Sequence, residues 1–246
     1  MNRLMENNQN RTSDSKTRVG IIAALPYEEA LFRKEFSEAE EVTILSKPAY
    51  SGVLGDFEVV IMQCGMGKVS AGISAQAMID LFHPDFIINT GCAGALDQSL
   101  QVGDVVISDS VVEWDLDLRE IGFPLGYVDA LGCVEMKASK ELGDRILAAK
   151  TDGLRVLRGT IASGDQFVSK DEQRQTILTN FPGALCAEME GAAVGHVCLQ
   201  NHTPFCIIRA MSDTADGKSG TDFAAFSEKA SEVSAAWLIR MLRGEM

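Results

Sequence analysis

The chain has 246 residues, enough for one large domain or two small ones, and its 46% apolar and 23% charged residues are an ordinary globular composition. A formal net charge of −13 opposes any broad nucleic-acid or anionic-membrane footprint, and no apolar run reaches the roughly 20 residues of a membrane span. Six scattered cysteines with no C-x-x-C pair, and only three histidines, argue against a metal site and read as reduced core thiols.

The first segment, residues 1–17, is polar and lacks the apolar centre of a signal peptide. It is expected to be a disordered tail on a cytoplasmic protein, with one domain over 18–246. Strand-length runs rich in Val and Ile, bounded by Gly, Pro or Asp, then recur at 18–25, 57–64, 84–91, 103–110, 156–163, 184–189 and 205–212. Helix-like segments lie at 28–36, 69–82, 139–150, 191–200 and 223–242. Continuous apolar strands alternating with helices predict an α/β fold, a mostly parallel sheet covered on both faces. No linker, repeat or charge block divides the chain.

Ligands of such a sheet bind outside the carboxyl ends of its strands. Those ends carry Leu25-Pro26-Tyr27-Glu28, Cys64-Gly65-Met66-Gly67-Lys68, Asn89 to Gly94, Ser163 to Phe167, Glu188-Met189-Glu190-Gly191 and Arg209 to Asp213. Glycines, carboxylates and one arginine gather where a site belongs. The GMGK at 65–68 is not a phosphate loop, because Met62 and Val69 stand where that loop needs Gly and Ser or Thr. It reads as a tight turn. NTGCAGAL at 89–96 says only that backbone comes close to something, helix or ligand.

Glu188 and Glu190 sit inside ALCAEMEGAAVGHVC, residues 184–198, although Glu is almost never buried unless paired. One residue apart on a strand, both would share a face and reach one cavity. A helix N-terminus, which stabilises carboxylates, accounts for one of them more readily than for both. Asp213 in SDTADG, taken alone, is an N-cap or turn residue. His196 and His202 read as a helix residue and a loop residue. Glu28, Glu190 and Asp213 at three different strand ends together point to acid–base work on a small neutral or cationic species.

The motifs GIIAALPYEEA, QCGMGKVSAG, INTGCAGAL, VGDVVISD, SGDQFV, AEMEGAAVGHV and RAMSDTAD resemble, in this order, the nucleoside phosphorylase and nucleosidase superfamily. The resemblance is strongest to the bacterial 5′-methylthioadenosine/S-adenosylhomocysteine nucleosidases and runs from about Val19 to the C-terminal helix. It implies a three-layer α/β/α domain with a twisted, mixed, mostly parallel sheet. It also implies hydrolysis of the bond between adenine and ribose C1′ in an adenine nucleoside with a 5′-thio substituent, without cofactor or metal. By the same resemblance Glu28 activates the attacking water and Asp213 protonates, or hydrogen-bonds to, adenine N7. Glu190 holds the ribose hydroxyls beside Met189, with Arg209 near ribose and water. Phe167 packs on the base, and Val168 offers backbone groups to its edge. Leu25, Met66 and Phe223 surround the ribose and 5′ substituent, and Cys92, Ala93 and Gly94 lie along the ligand. Glu188 takes a supporting role.

The chemistry is consistent with these residues. Departure of the base leaves a ribosyl cation that carboxylates stabilise in a dry pocket. An acid at N7 improves the leaving group, and burial would raise the pKa of Asp213 for that task. Water attack opposite the base inverts C1′. Cys92 stands where close relatives often have Ser, so a hydroxyl contact is not carried over, and Leu25-Pro26-Tyr27 replaces a more acidic stretch. WDLDLREIGFPLGY, residues 114–127, matches the region that crosses a homodimer interface in the family, with Leu118 and Ile121 lining the partner's pocket. The rivals are a phosphorolytic enzyme of the same fold, which would want several arginines, and a nucleoside-binding protein without catalysis. The choice of 5′ substituent stays open.

Overall fold

Each apolar run picked out above forms a strand in the computed structural model, which describes residues 16–149, 153–213 and 219–245, with all their side chains except those of Glu28 and residues 219–225. The expected tail therefore lies outside the described residues up to residue 15. The order is β1 (Thr17–Ala23), α1 (Pro26–Glu35), β2 (Ser37–Ile44), β3 (Lys47–Leu54), β4 (Phe57–Gln63), α2 (Lys68–Phe82), β5 (Phe86–Ala95), β6 (Val105–Glu113), β7 (Met136–Lys137), α3 (Lys140–Ala148), β8 (Val156–Ser163), α4 (Asp171–Asn180), β9 (Ala184–Glu188), α5 (Gly191–Gln200), β10 (Phe205–Asp213) and α6 (Ser219–Leu242). Two short 3-10 turns, Arg119–Ile121 and Asp129–Leu131, lie between β6 and β7.

The strands form one mixed sheet. β1 lies between β4 and β5, parallel to both, and β5 pairs in parallel with β10. The sheet then closes on itself, since β10 pairs with β6, β6 with β8, β8 with β9, and β9 returns antiparallel to β5 at Gly94–Ala187. Among the strands expected from the sequence, the pairings are parallel except β5–β9 and β6–β10, as the sheet reading requires. β2, β3 and β7, absent from that reading, add antiparallel edges.

Alternation along each central strand sends side chains to two separate cores. Ile22, Ile87, Ile207 and Met211 pack with Ala71, Ala75 and Met78 of α2 and with Val194 and Cys198 of α5. Val19, Ile21, Ile88, Cys206 and Ile208 pack on the other face with Phe32 of α1, Leu142 and Ile146 of α3, and Trp237 and Leu238 of α6. Burial raises the thiols of Cys198 and Cys206 to about 12, so they behave as core groups rather than nucleophiles.

The carboxyl ends of the strands meet because their registers agree. Ala23 is level with Gln63 and Thr90, Gly91 with Arg209, and Ser163 with Glu188. One local expectation needs correction. β9 ends at Glu188, and Glu190 is the N-cap of α5, so the two carboxylates are not neighbours on a strand face.

Candidate active site

A cleft, open at its mouth, lies over the ends of β1, β5, β8, β9 and β10. Leu25, Met66, Cys92, Ala93, Gly94, Phe167, Val168, Met189, Glu190, Arg209 and Asp213 all line it, drawn from six chain segments. Leu118 and Ile121 do not line it. Leu118 precedes the 3-10 turn Arg119–Ile121, and Ile121 is 70% exposed. Glu28 sits in the first turn of α1, directly after the cleft residues Ala24 and Leu25. Its side chain, like that of Phe223 on α6, lies outside the described ones.

Glu188 and Glu190 reach the same cleft with different surroundings. Glu188 Oε2 accepts from the backbone N–H of Glu190 at 3.1 Å and of Gly191 at 2.7 Å, which satisfies two otherwise orphaned donors at the start of α5. It also pairs with the Arg209 guanidinium, and its other oxygen accepts from the Ser163 hydroxyl. Ser163 Oγ in turn accepts from Ala192 N at 2.7 Å. Arg209 further donates to the Asn89 side chain, to Asn89 O at 3.2 Å and to Ile208 O at 3.0 Å. Arg209, expected near ribose and water, lines the cleft and also braces Glu188. The capping reading applies to Glu188.

Glu190 is buried and accepts from the Gly67 N–H at 2.8 Å through Oε1. Asp213 is aimed by a β-bulge. The register between β10 and β5 slips between Met211 and Asp213, so Ser212 is the extra residue and Asp213 comes level with Gly94. A bulge bends a strand and redirects the side chain that follows. Ser212 Oγ donates to Asp213 Oδ1 at 2.8 Å, and Asp213 is 2% exposed.

Phe167 and Met66 are exposed at the mouth, whereas Val168 is buried below them. The turn that carries Phe167 leaves β8 through Gly164, whose added Cβ would lie 2.5 Å from Trp114 Nε1 and 3.0 Å from Asp115 Cγ. Thr90, Gly91, Gln166, Ala187 and Ser212 also line the cleft. They stand inside the strand-end motifs, and that position was their only signal. Among the described lining residues Arg209 is the one basic group, and its charge is countered by Glu188. A single arginine already paired in this way is a poor anchor for phosphate.

Residues 18–243 match the family model of the phosphorylase superfamily. The 5′-methylthioadenosine/S-adenosylhomocysteine nucleosidase of Staphylococcus saprophyticus is 42% identical over 92% of this chain and 99% of its own length. Among solved structures, the nucleosidase of that name from Neisseria meningitidis, in complex with methylthio-immucillin-A, is 34% identical with a TM-score of 0.90 over 93% of this chain and 99% of its own. A futalosine hydrolase of Helicobacter pylori is 29% identical with a TM-score of 0.88 over 93% of this chain and 98% of its own. With a fold, a cleft and a near-full-length relationship in agreement, the chain belongs to the phosphorylase superfamily and, within it, to the 5′-methylthioadenosine/S-adenosylhomocysteine nucleosidase family.

Proposed function

We propose that the chain hydrolyses the N-glycosidic bond of 5′-methylthioadenosine and S-adenosylhomocysteine, releasing adenine and the 5′-thioribose. The observation that carries this reading is the meeting of two buried carboxylates, Glu190 and Asp213, in one small apolar-walled cleft with an aromatic ring at its mouth. Asp213 donates a proton or strong hydrogen bond to adenine N7 as the base departs. Glu190 holds the ribose hydroxyls, and its charge stabilises the cationic sugar as it forms. Glu28, at the start of α1, takes the proton of the attacking water. Phe167 covers the base, Val168 lines its edge, and Leu25, Met66, Met189, Cys92, Ala93 and Gly94 shape the wall along the sugar, with Phe223 assigned to its 5′ end. No metal or cofactor enters the scheme.

Water is favoured over phosphate as the nucleophile because the lining arginine is already paired with Glu188. Reaction in oxygen-labelled water with phosphate present tests this. The thioribose should carry the label at C1, and formation of a sugar 1-phosphate would reassign the chain to phosphorolysis. The likeness to a futalosine hydrolase adds futalosine to the substrates worth assaying beside the two thio-nucleosides.

We further infer a homodimer in the cytoplasm. Val69 and Ile73, one turn apart on α2, are exposed, as are Met66 at the cleft mouth and Ile121 in the 3-10 turn, apolar groups that a second copy could cover. A second copy covering them would bring Leu118 and Ile121 to its neighbour's cleft. Sedimentation of the full chain should give twice the monomer mass, and Ile121→Asp should shift it towards monomer. The six cysteines are all thiols, as suits a reducing compartment.

A further inference from the structure

Lys68 is half-buried and far in sequence from the groups assigned to chemistry, yet the residue before it is bonded to one of them. Gly67 N donates to Glu190 Oε1 at 2.8 Å, and the next N–H, that of Lys68, donates to Asp165 Oδ1 at 2.7 Å. Asp165 N donates to Asp115 Oδ2 at 2.7 Å. The Lys68 ammonium closes the circuit, at 2.6 Å from Asp115 Oδ1 and 3.0 Å from Glu113 Oε2. Glu113 Oε1 lies 3.0 Å from Nδ1 of His196 on α5, the helix that Glu190 precedes. Burial works to lower the lysine's pKa, but the hydrogen bonds to Asp115 and Glu113 outweigh it and hold the group charged.

The circuit fixes the segment that touches Glu190. Gly67 has φ +95°, a conformation closed to other residues, and an added Cβ would lie 3.1 Å from Asp165 Oδ1. The donor to Glu190 therefore sits on a turn that only glycine can make, with its direction set by its neighbours. Without the Lys68 charge, Glu113 and Asp115 repel each other in a poorly solvated place, and the α2 N-terminus loses its side-chain tie to Glu113 of β6 and to Asp115, keeping only the backbone bond to Asp165.

We propose that Lys68 is a positioning residue for Glu190, fixing through the Gly67 N–H the direction in which Glu190 presents its carboxylate to the sugar. The proposal rests on the reading of Glu190 as the ribose-holding group.

The test is a double-mutant cycle on adenine release from 5′-methylthioadenosine. Lys68→Met should lower kcat/KM by at least about tenfold in the otherwise native chain but by less than about threefold in a Glu190→Ala background, since coupled residues are not additive. Affinity for adenine alone, measured by calorimetry, should stay within about threefold, because the base does not use Glu190. Lys68→Arg, which keeps the charge, should recover most of the rate. Equal losses in both backgrounds, or no loss at all, overturn the proposal. Should Lys68→Met fail to fold, the near-isosteric Asp115→Asn carries the same cycle under the same criteria. A native chain that releases no adenine sinks the functional reading and the proposal with it, whereas additive losses in an active enzyme sink the proposal alone.

Discussion

Arg209 and Glu188 form an ion pair at the base of the cleft, each side chain 2% exposed. Glu188 is thereby anchored from one side by a guanidinium and from the other by the first N–H groups of α5. Removing one partner from a buried pair leaves an uncompensated charge and typically costs about 3–5 kcal/mol. Arg209→Met should therefore lose stability on that scale in urea unfolding. Glu188→Gln, whose amide oxygen can still accept from Gly191 N, leaves the buried Arg209 charge uncompensated and should lose stability on the same scale. Equal stability of Arg209→Met and the native chain would contradict this account of the cleft floor.

Asp213→Asn keeps the shape at the bulge and removes the acid. A positioned general acid contributes about a hundredfold to ten-thousandfold, so kcat for 5′-methylthioadenosine should fall in that range. Its affinity, by calorimetry on the variant, should change little. A kcat within a few-fold of the native value would remove Asp213 from the chemistry.

Gly164 has no room for a side chain against the rigid ring of Trp114. Overpacking typically costs about 1–3 kcal/mol, and here the backbone that must yield carries Phe167. Gly164→Ala should lower the melting temperature and raise KM more than it lowers kcat. Unchanged KM would show that the turn absorbs the methyl without moving Phe167.

Glu29, next to the proposed base Glu28, has its carboxyl raised to about 6 by burial, against the attraction of Arg33 and with repulsion from Glu41. Its Oε2 is buried without a hydrogen-bond partner. The folded chain therefore binds this proton more tightly than the unfolded chain does. The contribution to stability is full below the ordinary value of 4.5 and is lost as pH rises through about 6. Glu29→Gln should raise the melting temperature relative to the native chain at pH ~8 and lose that advantage below pH ~4.5. An equal difference at both pH values would contradict the buried-carboxylate reading.

Seven of the ten strands and most helices were legible because each buries a continuous apolar run or stripe. β2, with SEAEEVTI almost wholly exposed, and α4, with Ile177 its one buried residue, present no such pattern. The cleft walls were legible because strand ends converge in any such sheet. What each carboxylate does was not. The spacing of Glu188 and Glu190 suggested a shared strand face, but the chain turns at Met189, so Glu188 caps a helix while Glu190 lines the cleft and takes the Gly67 N–H. The turn read at GMGK is present, with Gly65 at φ +83° and Gly67 at +95°. Its partner Glu190 is 123 positions away, and no local pattern carries such a contact. The same holds for the Lys68 circuit and for the bulge at Ser212, both products of tertiary register.

The most direct test of the central claim is adenine release from 5′-methylthioadenosine by the purified full chain in phosphate-free buffer. The account predicts steady turnover to adenine and free methylthioribose, unchanged when phosphate is added. Tight binding without release, or release only with phosphate, would contradict it.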